Sequence, residues 1–265
     1  MLTKATEKHR ESIMNYCLEE SNINLFIIGD IENFGFDTDF QEVWIQTSGD
    51  KLVGIVLRYH DNFIIYSKNL DLEINEIENL LSTRDVKIIS GKLAVIDLLY
   101  PVLKNKYSKR DMYFCELMST SKLIKDTSEV EIAEHIDAMD IALAYEQIEG
   151  FSGLYSSGIE SRHEQISSRI KTKEGVHMFI KKDGKIVSHG NTTAETSVSA
   201  MVGGILTIPE YRKQGLASKM VSALCQNLYL RGKSACLFFD NPEAGEIYYK
   251  LGFRNIDKWA ILGRR

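Results

Sequence analysis

The residues between Thr207 and Ala217 combine a strand end, a basic pair and a glycine directly before a helix. An apolar strand ends at Thr207-Ile208, Pro209 turns the chain, and Arg212-Lys213-Gln214-Gly215 leads into the helix. A helix N-terminus presents unpaired N–H donors and a partial positive charge, so it binds phosphates where its backbone is accessible. Gly215 lacks a Cβ that would obstruct the approach, and the spacing therefore predicts a pyrophosphate cradle. A glycine turn with a solvated basic pair remains the alternative.

The helix that follows is specified by one apolar stripe, and Gly232 is placed to end it. Its members are Leu216, Ala217, Met220, Val221, Leu224 and Leu228. The segment is not a P-loop, because no Gly-Lys-Ser/Thr follows, and it lacks the GxGxxG of dinucleotide-binding folds.

A second block begins at Asp240 and contains a second helix entry. Asn241 is a good N-cap and Pro242 suits the first helical position. The helix then carries Tyr248 on its apolar side and stops at Gly252-Phe253.

Together the two blocks resemble the GNAT superfamily of acyl-CoA-dependent N-acyltransferases. Arg-x-x-Gly-x-Ala is similar to the family's pyrophosphate loop. The second signature is matched position by position, at Asn241, Ala244, Ile247, Tyr248, Lys250, Leu251, Gly252 and Phe253. The resemblance covers residues 130–265 and implies a mixed sheet opened near the cofactor, with acetyl-CoA as co-substrate. The cofactor-binding residues it implies are Leu206, Thr207, Ile208, Arg212, Lys213, Gln214, Gly215, Leu216, Ala217, Ser218 and Asn241.

The resemblance also implies roles in the chemistry. An amine attacks the thioester carbonyl, and backbone N–H groups near Leu206 and Ile208 are expected to polarise it. Tyr248 is the expected proton donor to the leaving thiolate, or else it only packs over the cofactor sulfur. The candidates for the general base are Glu195, His189 and water. The acceptor pocket is expected at the loop Phe151–Ser156.

The sequence predicts an α/β protein with a mixed sheet, built in two parts. Gly49-Asp50-Lys51-Leu52-Val53 occurs in the first half where Asp183-Gly184-Lys185-Ile186-Val187 occurs in the second, which indicates a duplication. We predict a degenerate GNAT-like domain over 1–125, without a cofactor loop, and a GNAT domain over 126–265. This layout resembles the glycine N-acyltransferase type. Two unrelated α/β segments are the alternative.

Helices and strands are predicted from periodicity and turn residues. The helices are Thr6–Glu20, Ile74–Leu81, Leu93–Leu103, His135–Ile148 and Ile159–Lys171. The strands are Glu42–Thr47, Leu52–Tyr59, Asn62–Tyr66, Val86–Ile89, Tyr113–Met118, Val176–Lys181, Lys185–Asn191, Val198–Thr207 and Ala235–Phe239.

Charge and composition limit the classes of binding partner that the sequence predicts. A net charge of −5 argues against nucleic acid, and no apolar run is long enough to span a bilayer. The cysteines form no CxxC pair, which argues against a metal site and favours reduced thiols in a cytoplasmic protein. They are Cys17, Cys115, Cys225 and Cys236. We expect a small-molecule amine as acceptor. A homodimer, a longer acyl donor and a regulatory CoA-binding protein without turnover stay open.

Overall fold

The computed structural model of the chain describes residues 1–148 and 158–265. The chain forms two compact units. The first comprises Met1–Phe114, Phe238–Asp240 and Asn255–Arg265, and the second comprises Cys115–Leu237 and Asn241–Arg254.

Helices and strands are interspersed along the described residues, as in a mixed α/β protein. The strands are β1 Leu2–Lys4, β2 Gln41–Ser48, β3 Lys51–Tyr59, β4 Asn62–Tyr66, β5 Ile88–Lys92, β6 Tyr107–Leu117, β7 Glu131–Ile132, β8 His177–Lys182, β9 Lys185–Thr193, β10 Ser199–Thr207, β11 Ser234–Phe239 and β12 Phe253–Arg264. The helices are α1 Arg10–Leu18, α2 Leu25–Phe34, α3 Ile74–Ser82, α4 Leu93–Leu103, α5 Ala138–Glu146, α6 Gly158–Thr172, α7 Leu216–Leu230 and α8 Pro242–Leu251.

In the first unit the strands follow the order β1-β2-β3-β4-β5-β12-β6. Strands β2, β3 and β4 are antiparallel neighbours, whereas β4 and β5 are parallel. The later part of β12 completes this sheet by pairing antiparallel with β5, from Trp259–Lys92 to Gly263–Ile88. One apolar core holds the unit together, with Trp44, Phe63 and Leu262 among its buried members.

In the second unit the order is β11-β10-β9-β8-β7. Strands β8, β9 and β10 are antiparallel neighbours, whereas β10 and β11 are parallel. The hairpin between β8 and β9 turns at Asp183 and Gly184, whose φ angles are +49° and +78°, as the sequence predicted. Both units thus contain two antiparallel pairs followed by a parallel pair, and the mixed α/β sheet predicted from sequence is confirmed.

The division of the chain differs from the predicted boundary at residues 125/126. The second unit begins at Cys115, and Asn255–Arg265 belongs to the first unit rather than to the second. The reason is the long strand β12, whose later residues bond to β5. Which strand pairs with which is decided by tertiary contacts that local sequence does not contain.

One helix is absent from the sequence-based prediction. Helix α2 is apolar on most of its surface, and its buried residues include Leu25, Ile27, Ile28 and Ile31. A helix buried on several sides shows no polar face, so the 3.6-residue periodicity that identifies amphipathic helices is weak there. The helix predicted over Thr6–Glu20 is shorter in the structure, where it is α1, because Glu7–His9 forms a 3-10 turn before it.

Candidate functional site

Strands β10 and β11 separate after a short parallel ladder. Their pairing starts at Ser199–Ser234 and ends at Met201–Cys236, although β10 continues to Thr207. The later residues of β10 therefore have backbone groups on the β11 side that this ladder does not use.

The equivalent parallel pair of the first unit remains closed. Strand β4 pairs with β5 from Asn62–Ile88 to Ile65–Gly91, almost its full length. The opening between parallel neighbours is thus a feature of the second unit, where the sequence places the glycine loop.

A bulge interrupts β10 beside the opening. The register with β9 shifts between Gly203 and Leu206, so β10 carries one extra residue there. Gly204 has a φ of +60°. A Cβ on Gly204 would lie 2.1 Å from Asn191 Oδ1 and 2.5 Å from Tyr145 Oη. Both the backbone conformation and the available space therefore require glycine at this position.

Past the bulge, alternate amides of β10 face β9. The Ile208 amide donates to the Val187 carbonyl at 3.0 Å. In an antiparallel ladder the residues that face the partner alternate, so the Leu206 amide also faces β9 and the Thr207 amide faces away. Of the backbone N–H groups at this strand end, those of Leu206 and Ile208 are thus directed at β9, and that of Thr207 is directed away from it. The side chains of Leu206 and Ile208 are buried.

The predicted cradle forms a tight loop with two residues in the left-handed region. Lys213 has a φ of +61° and Gly215 a φ of +78°. Arg212 closes the loop by donating from Nε to the Thr207 carbonyl at 3.2 Å. A Cβ on Gly215 would meet no protein atom within 4 Å. Backbone conformation rather than crowding by the protein accounts for this glycine, and the space in front of it is open.

The N-terminus of α7 is exposed and lacks a side-chain cap. Gly215 is the N-cap and supplies no side-chain hydrogen bond. The Lys219 amide donates to the Gly215 carbonyl at 3.0 Å, which starts the helical ladder. The amides of Leu216, Ala217 and Ser218 precede that bond and have no acceptor within the helix. Arg212, Lys213, Gln214 and Gly215 are all exposed, so an anion can reach these donors.

The carboxylate of Glu129 neutralises part of the positive charge near the N-terminus of α7. Glu129 forms ion pairs with Lys182 and Lys219, and their hydrogen bonds lower its pKa to about 2. Glu129 thus stays ionised and offsets Lys219 in the first turn of α7. Arg212 and Lys213 supply the loop's basic character, as the sequence predicted.

Asn241 and Tyr248 lie on the helix that follows β11. Asn241 caps α8, because its side chain accepts a hydrogen bond from the Glu243 amide at 2.9 Å. The Tyr248 side chain is half-buried, and its ring lies 6.0 Å from the Phe253 ring in an edge-on arrangement. Burial, with a smaller contribution from the Cys115 thiol, raises the pKa of Tyr248 to about 12. The phenol is therefore protonated at neutral pH, and it is a weaker acid than an unperturbed tyrosine.

Glu195 is engaged in an ion-pair cluster away from Thr207. It precedes β10, whereas Thr207 ends it, and its carboxylate pairs with Arg231 at 2.7 Å and Lys233 at 3.0 Å. Burial alone would raise the pKa of Glu195, but the hydrogen bond from Arg231 and other donors lower it. These contacts give Glu195 a structural role and argue against a general base.

His189 is fully buried, and burial together with the nearby His177 lowers its pKa to about 3. Such a weakly basic imidazole is a poor proton acceptor for an attacking amine. The predicted acceptor loop Phe151–Ser156 lies outside the described residues.

Within residues 1–148 and 158–265, no helix has the length and apolar character to cross a membrane. The same residues contain no cluster of three or more His, Cys, Asp or Glu side chains arranged as metal ligands. The four cysteines are free thiols, and all are buried.

Solved structures share the fold across both units. A Drosophila protein aligns with a TM-score of 0.70 at 11% identity, over 100% of this chain and 98% of its own. A GCN5-related N-acetyltransferase from Sphaerobacter thermophilus aligns with a TM-score of 0.63 at 13% identity, over 99% and 94%. A tandem GNAT protein from the clavulanic acid biosynthesis pathway aligns with a TM-score of 0.62 at 11% identity, over 99% and 97%. The duplicated GNAT layout is thus confirmed at the level of fold.

Curated proteins provide no significant match to the chain. The narrower likeness to the glycine N-acyltransferase type stays a prediction. The model of the GNAT acetyltransferase family, in contrast, matches residues 51–262, which is most of the chain. With the open β10–β11 pair and the exposed helix terminus, this match leads to one conclusion: the chain belongs to the GNAT acetyltransferase family and is an acyltransferase.

Proposed function

We propose that the enzyme transfers an acetyl group from acetyl-CoA to the amine of a small molecule, by direct attack of the amine on the thioester. The observation that carries the proposal is the exposed, uncapped N-terminus of α7 at the end of the strand that parts from β11. A pyrophosphate would bind the amides of Leu216, Ala217 and Ser218. Arg212 and Lys213 would add positive charge.

The remaining predicted contacts follow the cofactor along β10. Pantetheine would lie in the opening and bond to the Thr207 backbone, with Leu206 and Ile208 as the buried floor of that strand. Gln214 and Gly215 would line the phosphate loop through their backbone. Asn241, which caps α8, would stand at the start of the helix that carries Tyr248.

Tyr248 would act when the tetrahedral intermediate collapses. The amine nitrogen forms its bond to the acyl carbon, the carbon–sulfur bond breaks, and the thiolate takes a proton from the phenol. A phenol whose pKa is about 12 is fully protonated at neutral pH and can supply that proton. The proton lost by the amine goes to water, since both predicted bases are engaged elsewhere.

We also propose that the first unit is a degenerate copy that binds no CoA. Its β4–β5 ladder is closed where β10 and β11 part, so no slot exists for pantetheine between those strands.

Two measurements on the full chain test these proposals. The first is the melting temperature with CoA and acetyl-CoA, because a ligand that binds only the native state must raise it. The second is thiol release from acetyl-CoA and longer acyl-CoAs with a panel of amines. No stabilisation at millimolar CoA would contradict the cofactor proposal. Stabilisation without turnover for any amine would favour a regulatory CoA-binding role, and preference for longer thioesters would correct the acyl group.

A further inference from the structure

Two side chains of the second unit donate to the carbonyl in the β10 bulge, and a third supports one of them. The Tyr145 hydroxyl on α5 donates to the Gly204 carbonyl at 3.2 Å. Nδ1 of His189 on β9 lies 3.3 Å from the same oxygen. Nδ1 of His177 on β8 lies 3.1 Å from Nε2 of His189. We call Tyr145, His189 and His177 the carbonyl clamp.

Hydrogen-bond chemistry determines the protons in the clamp. A carbonyl oxygen only accepts, so Nδ1 of His189 must carry the hydrogen. In neutral His189 the Nε2 atom is then an acceptor, and Nδ1 of His177 must donate to it. Burial lowers the pKa of His177 to about 4 and that of His189 to about 3, so both rings are neutral at physiological pH.

The clamp constrains a whole peptide unit. Both lone pairs of the Gly204 oxygen are occupied by donors from two different elements, so the carbonyl direction is defined. In a planar trans peptide the N–H of the next residue points opposite to that carbonyl. The Ile205 amide therefore points away from the clamp. Gly204 and Ile205 have no partner in the register with β9, so this amide is not part of that ladder.

We infer that Tyr145, His189 and His177 are positioning residues for acyl transfer, which hold the Gly204 carbonyl so that the Ile205 amide is directed at the thioester carbonyl. The inference rests on the proposed use of a CoA thioester. A preorganised backbone donor stabilises the oxyanion of the tetrahedral intermediate more than it stabilises the substrate. Loss of a clamp donor should consequently lower kcat more than it weakens binding.

Tyr145→Phe is the cleanest perturbation, since it removes one donor and keeps the ring. We expect kcat to fall roughly tenfold, because a donor that is displaced rather than deleted loses part of the effect of an oxyanion-hole donor. Affinity for CoA should stay at the wild-type value, because the free thiol has no acyl carbonyl. The matched control is Tyr229→Phe, at an exposed tyrosine of α7, and it should leave both quantities unchanged.

A second series tests the histidines. In His189→Asn the side-chain amide can place a donor near the former Nδ1 position, whereas His189→Leu cannot. We expect His189→Asn to retain more kcat than His189→Leu at similar CoA affinity. The ¹⁵N spectrum of the six histidines gives an independent readout, with resonances assigned through His177→Asn and His189→Asn. Both rings should be neutral and protonated at Nδ1.

The outcomes separate this inference from the proposed function. A wild-type enzyme that does not bind CoA contradicts the proposed function itself. An active enzyme in which Tyr145→Phe keeps its kcat, or loses kcat and CoA affinity in equal proportion, overturns the positioning role alone. Protonation of His189 at Nε2 would also overturn it, because Nδ1 could then not donate to Gly204.

Discussion

Two glycines at opposite ends of α7 allow the phosphate cradle to be tested with a matched pair of variants. Gly215 and Gly232 have φ angles of +78° and +70°, and a Cβ at either would meet no atom within 4 Å. Replacement by an L-residue costs about 1–2 kcal/mol from the left-handed backbone at either site. Reduced entropy of the unfolded chain returns about 0.4–1 kcal/mol of that. The backbone thus costs each variant near 1 kcal/mol of unfolding free energy. The helix dipole then returns about 0.3–1 kcal/mol for the carboxylate of Gly215→Glu and costs a similar amount for that of Gly232→Glu.

Their effects on CoA should differ. At Gly215 the new carboxylate would stand beside the pyrophosphate, and two unit charges 4 Å apart repel by about 1 kcal/mol in water and about 4 kcal/mol at an effective dielectric constant of 20. The dissociation constant of CoA should therefore rise between about fivefold and about 1000-fold. At Gly232 the carboxylate lies at the other end of the helix, and CoA affinity should not change.

Thermal unfolding gives the stability of each variant, and calorimetric titration with CoA gives its affinity. The reasoning requires Gly215→Glu to lose more CoA affinity than Gly232→Glu, although it loses less unfolding free energy. If Gly215→Glu binds CoA as tightly as Gly232→Glu does, the pyrophosphate is held elsewhere. If both variants lose affinity together, the effect comes from general destabilisation, and the cradle has no local support.

Three further predictions concern protons and stoichiometry. Tyr248→Phe should lower kcat by about 10²–10⁴-fold with little change in the Michaelis constant for acetyl-CoA; wild-type kcat in the variant would assign Tyr248 to packing. Calorimetry on the full chain should give one bound CoA per chain, and two would show that the first unit is not degenerate. A truncated fragment is unsuitable for this measurement because Asn255–Arg265 completes the sheet of the first unit. Below pH 6.5 the chain should lose stability, because the lowered pKa values of His177 and His189 favour the neutral forms in the folded state. Each histidine lowers the unfolding free energy by roughly 2 kcal/mol at pH 5, and this loss is absent well above pH 6.5. The effect of Asp30 on stability has the opposite sign, since burial raises its pKa to about 7. The measurement therefore compares the pH dependence of unfolding in wild type with that in His189→Asn. The fall in stability with decreasing pH should be shallower in the variant.

The glycine loop before α7 and the start of α8 were accessible from sequence because their signals are local. A glycine before an apolar stripe and an Asn-Pro helix start depend on residues within one or two turns. Gly215 as N-cap and Asn241 as a side-chain cap agree with those expectations. The paired hairpins that indicated duplication are local as well, because turn chemistry needs only a few residues.

The directions of the backbone amides at the end of β10 were not accessible in this way. Leu206, Thr207 and Ile208 look alike as an apolar strand end, and only the register with β9 determines which amides face that strand. A bulge shifts this alternation by one residue. Sequence alone therefore located this strand end but not which of its amides face away from β9.

The role of the His189 side chain likewise could not be predicted from the sequence. From sequence it is a strand histidine near neutral pKa and thus a candidate base. Its role depends on His177 and Tyr145, which come from β8 and α5 and meet it only in the folded unit. By itself the sequence determined the family and the glycine loop before α7, because these rest on short-range patterns. Strand partners, amide directions and the state of the buried histidines were decided by the tertiary structure, because register and burial arise from contacts between residues far apart in the chain.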